Sequence, residues 1–133
     1  WIQDRDLETC EIQLEGAGPW GLEDCGSSLQ LQLLAGHSAA SIALCWRPSG
    51  GFSGSAVFTG DSLAMSRLGP TGFPLYNSAG RDLQARSLRE LLARQGAFEF
   101  TLPGHGRRHR SVSAGTFEEF LETAARQLEA WTG

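Results

Sequence analysis

Two histidines and an aspartate in this chain each follow directly on a glycine that closes an apolar, strand-like run. The runs are Leu29–Gly36 before His37, Ala56–Gly60 before Asp61, and Phe98–Gly104 before His105. Imidazole nitrogen and carboxylate oxygen are donors that zinc and similar divalent ions take. Such an ion lowers the pKa of bound water to about 7, which supplies hydroxide for hydrolysis at neutral pH. Glycine permits the positive φ of a sharp turn. Each strand is therefore expected to end in a turn that presents the next side chain at the sheet edge, where loops build sites on a rigid scaffold. Spacings of 24 and 44 residues put the three donors on separate strand ends. Singly, each has an ordinary reading, as a superficial histidine or a Gly-Asp turn. The same arrangement three times in one small domain carries the metal-site reading.

Other chemically capable residues cluster near these three. Arg107-Arg108-His109-Arg110 follows His105 almost at once. Arg107 and Arg108 are candidates to hold a substrate carboxylate or phosphate, since arginine offers bidentate contacts; the plain alternative is a solvated loop. His109 lies outside any ligand pattern. Ser38 and Ser62 neighbour the donors and are candidate hydrogen-bond supports, without the companion base a nucleophile needs. Phe73 and Tyr76 suit either a pocket mouth or the core.

The elements that must position these groups follow from periodicity. Thr9–Glu15 and Leu29–Leu33 alternate as strands, the second with a polar face of Gln30 and Gln32. Ser41–Trp46 and Ser55–Thr59 flank the turn signal at 47–54 and are expected to form a hairpin with a long loop. Beyond Asp61 the period is lost, which predicts a loop through Pro74. A helix capped by Asn77 or Ser78 is expected to reach about Arg94, with Leu83, Leu88, Leu91 and Leu92 on one face, Arg81, Arg86 and Arg89 toward solvent, and Gly96 as its stop. The strand Phe98–Leu102 follows. Thr116 to Glu119 matches a capping box, and Phe117, Phe120, Leu121, Ala124, Leu128 and Trp131 recur every three or four residues as a buried helix face. This order predicts an α/β domain, a mainly antiparallel or mixed sheet with two main helices packed on one face. Val57 and Phe58 are apolar in succession, so both sheet faces are expected to be covered. Helices cover one; something else must cover the other.

Bulk properties agree with one domain. The 133 residues carry 41% hydrophobic and 20% charged side chains, which excludes whole-chain disorder. A net charge of −4 argues against a non-specific nucleic-acid binder. No run is long and apolar enough to span a membrane. Cys10, Cys25 and Cys45 are odd in number and form no CxxC, so buried free thiols in a reducing compartment such as cytoplasm or plastid are expected. A start at Trp1 rather than Met suggests a processed or partial chain.

Gly36-His37-Ser38, Phe58-Thr59-Gly60-Asp61 and Leu102-Pro103-Gly104-His105-Gly106 resemble, in that order, the later metal-binding motifs of the metallo-β-lactamase superfamily. The resemblance is nearest to a hydrolase-like branch sometimes fused to a ferredoxin-like segment, through Leu14-Glu15-Gly16 with Pro19-Trp20 and through Leu102–Arg108. It covers residues 1–133 as a single partial domain similar to the C-terminal half of that αββα sandwich. It implies that His37 ligates one metal, Asp61 bridges and His105 ligates a second, zinc first in expectation, with iron or manganese as alternatives. The motif His-x-His-x-Asp-His is absent, and Ala35 and Ala40 stand where proline and glycine are usual. The expected function is therefore part of a metal-dependent hydrolase acting on a small ester or thioester. This chain alone is expected to bind metal weakly and to be inactive, needing a missing N-terminal half or a second copy. The alternatives are a non-catalytic binding module and a nuclease of the same superfamily.

Overall fold

Alternating side chains give β2 (Leu29–Leu33), β3 (Ile42–Trp46) and the long β4 (Ala56–Ser66) two distinct faces each, and these strands form the middle of one sheet. A computed structural model describes residues 18–21, 28–67, 69–71 and 78–130. The expected strand at Thr9–Glu15, together with Cys10, Cys25, Phe73, Tyr76 and Trp131, lies outside them. Seven strands assemble in the order β1 (Trp20–Gly21), β2, β3, β4, β6 (Phe100–His105) and β7 (His109–Arg110), with β5 (Gly69–Thr71) paired to β4. Among the described strands only β4 and β6 run parallel. The helix α1 (Ser78–Gln95) connects them, as a parallel crossover requires. The helix α2 (Ala114–Ala130) completes an α/β fold with a mixed, open sheet.

The core lies between the two helices and one sheet face. Ala43, Cys45 and Val57 from the strands pack with Leu88 and Leu91 of α1 and with Phe117, Leu121 and Ala124 of α2. Phe98, fully buried just before β6, meets Phe117 edge-on at 5.8 Å between ring centroids. Gly96 stops α1 as expected, at φ 77°, its N–H donating to the Leu92 carbonyl at 2.8 Å. Arg89 is not simply solvated: it bridges the helices by donating to Glu122 and Glu129. The cap of α2 differs from the expected box. Ser113, not Thr116, is the capping residue, its Oγ accepting from the Thr116 N–H at 3.2 Å. Thr116 is already inside the helix.

Two strands run further than the pattern of apolar residues implies. β4 continues five residues past Asp61, and β6 reaches His105 through Pro103 and Gly104. The expected loop after Asp61 is therefore strand as far as Ser66. Register shifts around Gly60 show that β4 bulges there rather than ending. A bulge lets a strand re-aim one side chain while keeping its pairing.

The polar face of β2 is the buried one. Gln30, Cys45, Val57 and Thr101 align across the sheet on the helix side. Gln32 on that side is 1% exposed, and Gln95 of α1 donates to Gln30 Oε1 at 3.1 Å. The apolar side chains take the other face. Leu31, Leu44, Phe58 and Leu102 form one cross-strand row, and Leu29, Trp46, Ala56 and Phe100 form a second. No helix among the described residues packs there, and Ile42, Trp46 and Phe58 are 40–43% exposed.

Candidate metal centre

Three glycines bring the donors together, each by a different device. After β2 the chain turns back between Leu34, whose N–H donates to the Ser41 carbonyl, and Gly36, whose N–H donates to the Ser38 carbonyl. Gly36 has φ 143°, and α1 lies directly on it: a Cβ there would stand 2.3 Å from Gln84 Cβ. Only glycine allows that approach. Gln84 also donates to the Ser62 carbonyl, while Ser62 Oγ donates to the Leu34 carbonyl at 3.1 Å. The end of β2, the middle of β4 and the start of α1 are thus tied beneath the site. Ser62 serves by holding backbone, and Ser38 pairs with Ser41 at 2.7 Å within the turn.

Gly60, at φ 52°, sits in the bulge of β4 that precedes Asp61. Gly104 needs no unusual φ; its role is close packing. A Cβ at Gly104 would meet Asp61 Oδ1 at 2.6 Å and the Gly60 carbonyl carbon at 2.8 Å. The expectation that all three glycines end strands in sharp turns thus holds for Gly36 alone.

The three side chains converge. His105 Nε2 lies 3.1 Å from Asp61 Oδ1, and His37 Nε2 lies 3.5 Å from Asp61 Oδ2. Each carboxylate oxygen therefore faces its own imidazole. Two donors on one tetrahedral zinc, each about 2.0–2.2 Å from the ion, stand roughly 3.4 Å apart, so either pair could flank an ion. The set is nevertheless short. It offers two protein donors at each of two positions, where zinc sites use three or four. Among the described residues no group of three or more His, Cys, Asp or Glu is arranged to hold one ion. As it stands the trio does not make a complete metal site. It is also open to solvent, the side chains being 39%, 46% and 63% exposed for His37, Asp61 and His105.

The remaining candidates separate. His109 packs rather than ligates: its ring stacks on Phe120 at 4.1 Å and 4°, and burial lowers its pKa. Arg110 pairs with Glu99 at 2.8 Å. Arg107 and Arg108 line an open cavity of about 380 Å³ with Met65, Ser66, Arg67 and Gly106. Arg67 carries no local signal in the sequence; only the pairing of β4 with β6 brings it there. Cys45 is buried, which pushes its thiol up to about 12 and leaves it inert at neutral pH. No protein-family model matches this chain, and no curated protein matches it significantly.

Proposed function

We propose that this chain is the C-terminal part of a metal-dependent hydrolase of the metallo-β-lactamase fold. His37, Asp61 and His105 form one half of its metal site, and the substrate is a small ester or thioester. One observation carries the reading: an imidazole set against each oxygen of a single carboxylate, delivered from the turn after β2, the bulge of β4 and the end of β6. That is how a carboxylate bridging two ions is flanked. The apolar sheet face, on which no helix among the described residues packs, supports the same reading, since a second layer of protein is needed to cover it. Further donors must come from outside the described residues. The chain alone binds zinc weakly and does not turn over.

A non-catalytic binding module is the second reading, favoured by the shortage of donors and the exposure of all three side chains. One experiment weighs the two. Zinc is titrated into the chain while the imidazole nitrogens are followed by long-range ¹H–¹⁵N NMR. The hydrolase reading expects His37 and His105 to respond together at high zinc, with Asp61→Asn uncoupling them and His109 silent. A zinc ion retained after dialysis would contradict the half-site. Independent responses of the two imidazoles would leave only the module.

A further inference from the structure

The geometry points to an oxyanion-binding cleft made by Arg67, Arg107 and Arg108, which takes a multiply charged phosphate-type group. All eleven basic residues of the chain are arginine. Arg47, Arg89, Arg94, Arg110 and Arg126 donate to protein carbonyls or carboxylates, and Arg81 is also engaged. Among the described residues nothing comparable holds Arg67, Arg107 or Arg108, yet these three line one cavity. The net charge is −4, yet among the described residues no carboxylate pairs with these guanidiniums. Positive charge gathered in a concave site without counter-charge raises the local concentration of anions. The guanidinium fork matches phosphate oxygens two at a time.

The cleft is built on a fixed frame. Ala64 pairs with His105, which sets Met65–Arg67 alongside Gly106–Arg108. The two segments are in close contact, since a Cβ at Gly106 would lie 2.1 Å from the Met65 carbonyl oxygen. The volume of about 380 Å³ falls within the range of roughly 300–1,000 Å³ found for small-molecule sites. It exceeds the need of one phosphate and leaves room for the group the phosphate is attached to. The cavity begins one residue beyond His105. That the anion is the handle of a substrate whose scissile bond lies over Asp61 rests on the hydrolase reading; the anion site itself does not.

The test titrates metal-free chain with sodium pyrophosphate, inorganic phosphate and citrate at constant ionic strength, read by amide chemical shifts. Pyrophosphate is expected to bind saturably and more tightly than phosphate or citrate, with shifts centred on residues 66–67 and 106–108. Loss of a charge-assisted contact predicts about tenfold weaker binding for Arg67→Gln and for Arg107→Gln. Arg86→Gln, on the exposed side of α1, is expected to bind like the wild type. Absence of saturation through the millimolar range overturns the site. Unchanged affinity in Arg67→Gln does so too, and tighter citrate binding overturns the phosphate assignment. Asp61→Asn separates the two readings: it is expected to abolish the coupled zinc response and to leave pyrophosphate binding intact.

Discussion

Replacing Gly36 by alanine probes the joint that places His37. The added Cβ would come within 2.3 Å of Gln84 Cβ, 2.5 Å of its Cα and 2.8 Å of its N, all well short of the 3.4 Å where ordinary contact begins. Two of these three atoms are backbone, so no rotamer change relieves the overlap. Either α1 lifts from the sheet or the turn at 35–40 deforms. Overpacking of this kind costs about 1–3 kcal/mol, and a side chain held at positive φ adds about 1–3 kcal/mol. A sum of about 2–6 kcal/mol stands against a total stability of roughly 7–20 kcal/mol for 133 residues. With an unfolding entropy of about 2.1 cal/mol/K per residue, each kcal/mol corresponds to roughly 3–4 °C for a chain of this length. Circular dichroism melts of Gly36→Ala are expected to show a loss of about 7–20 °C. Gln84→Ala retains the offending Cα, Cβ and N, so it is expected not to rescue the variant. A melt within 2 °C or so of wild type (about 0.5 kcal/mol), or rescue by Gln84→Ala, refutes the backbone clash as the reason for glycine.

Three further outcomes follow from burial and charge. Ile42, Trp46 and Phe58 are 40–43% exposed on the apolar face of the sheet, and a contiguous apolar patch marks an interaction surface. The isolated chain should self-associate, as read by light scattering, and Phe58→Glu, which puts charge in the middle of the Leu31–Leu102 row, should shift it toward monomer. A monodisperse wild-type monomer at high concentration rules this out. Burial lowers the pKa of His109 in the folded chain, so the unfolded chain binds that proton more readily. Stability should be level above about pH 6.5 and fall as pH drops below it. His109→Phe, which preserves the stack on Phe120, should remove that fall; denaturant melts at several pH values decide, and an unchanged slope in the variant defeats the account. A separate loss is expected at lower pH. The Arg89 guanidinium holds the Glu122 carboxyl down to about 2, and this contribution disappears only as pH falls from about 4.5 toward that value.

Much of the fold was legible from local pattern. The two helices, the hairpin from β3 to β4 and the stop at Gly96 follow from periodicity and glycine placement, which act over a few residues. The cap of α2 misled because Thr116-x-x-Glu119 fits the box, whereas Ser113-x-x-Thr116 lacks its Glu or Gln and caps through the Ser113 hydroxyl alone. Geometry chose Ser113, three residues earlier. The length of β4 misled for a different reason. Strand beyond Gly60 is held by pairing with β5 and β6, a long-range effect that leaves no alternation in the chain itself.

The types and order of the three donors were set by the amino-acid sequence alone: an imidazole, a carboxylate and an imidazole, each after a glycine that a backbone turn, bulge or close approach requires. Tertiary structure decided what those groups meet. Parallel pairing of β4 with β6 brings Asp61 to His105 and Arg67 to Arg107, residues about 40 apart in the chain. It also decided that the glutamines of β2 face the helices, where Gln95 satisfies them, while its leucines face outward. Period-two alternation states that a strand has two faces; which one is buried depends on the neighbour that arrives, and that neighbour is chosen by packing across the whole domain.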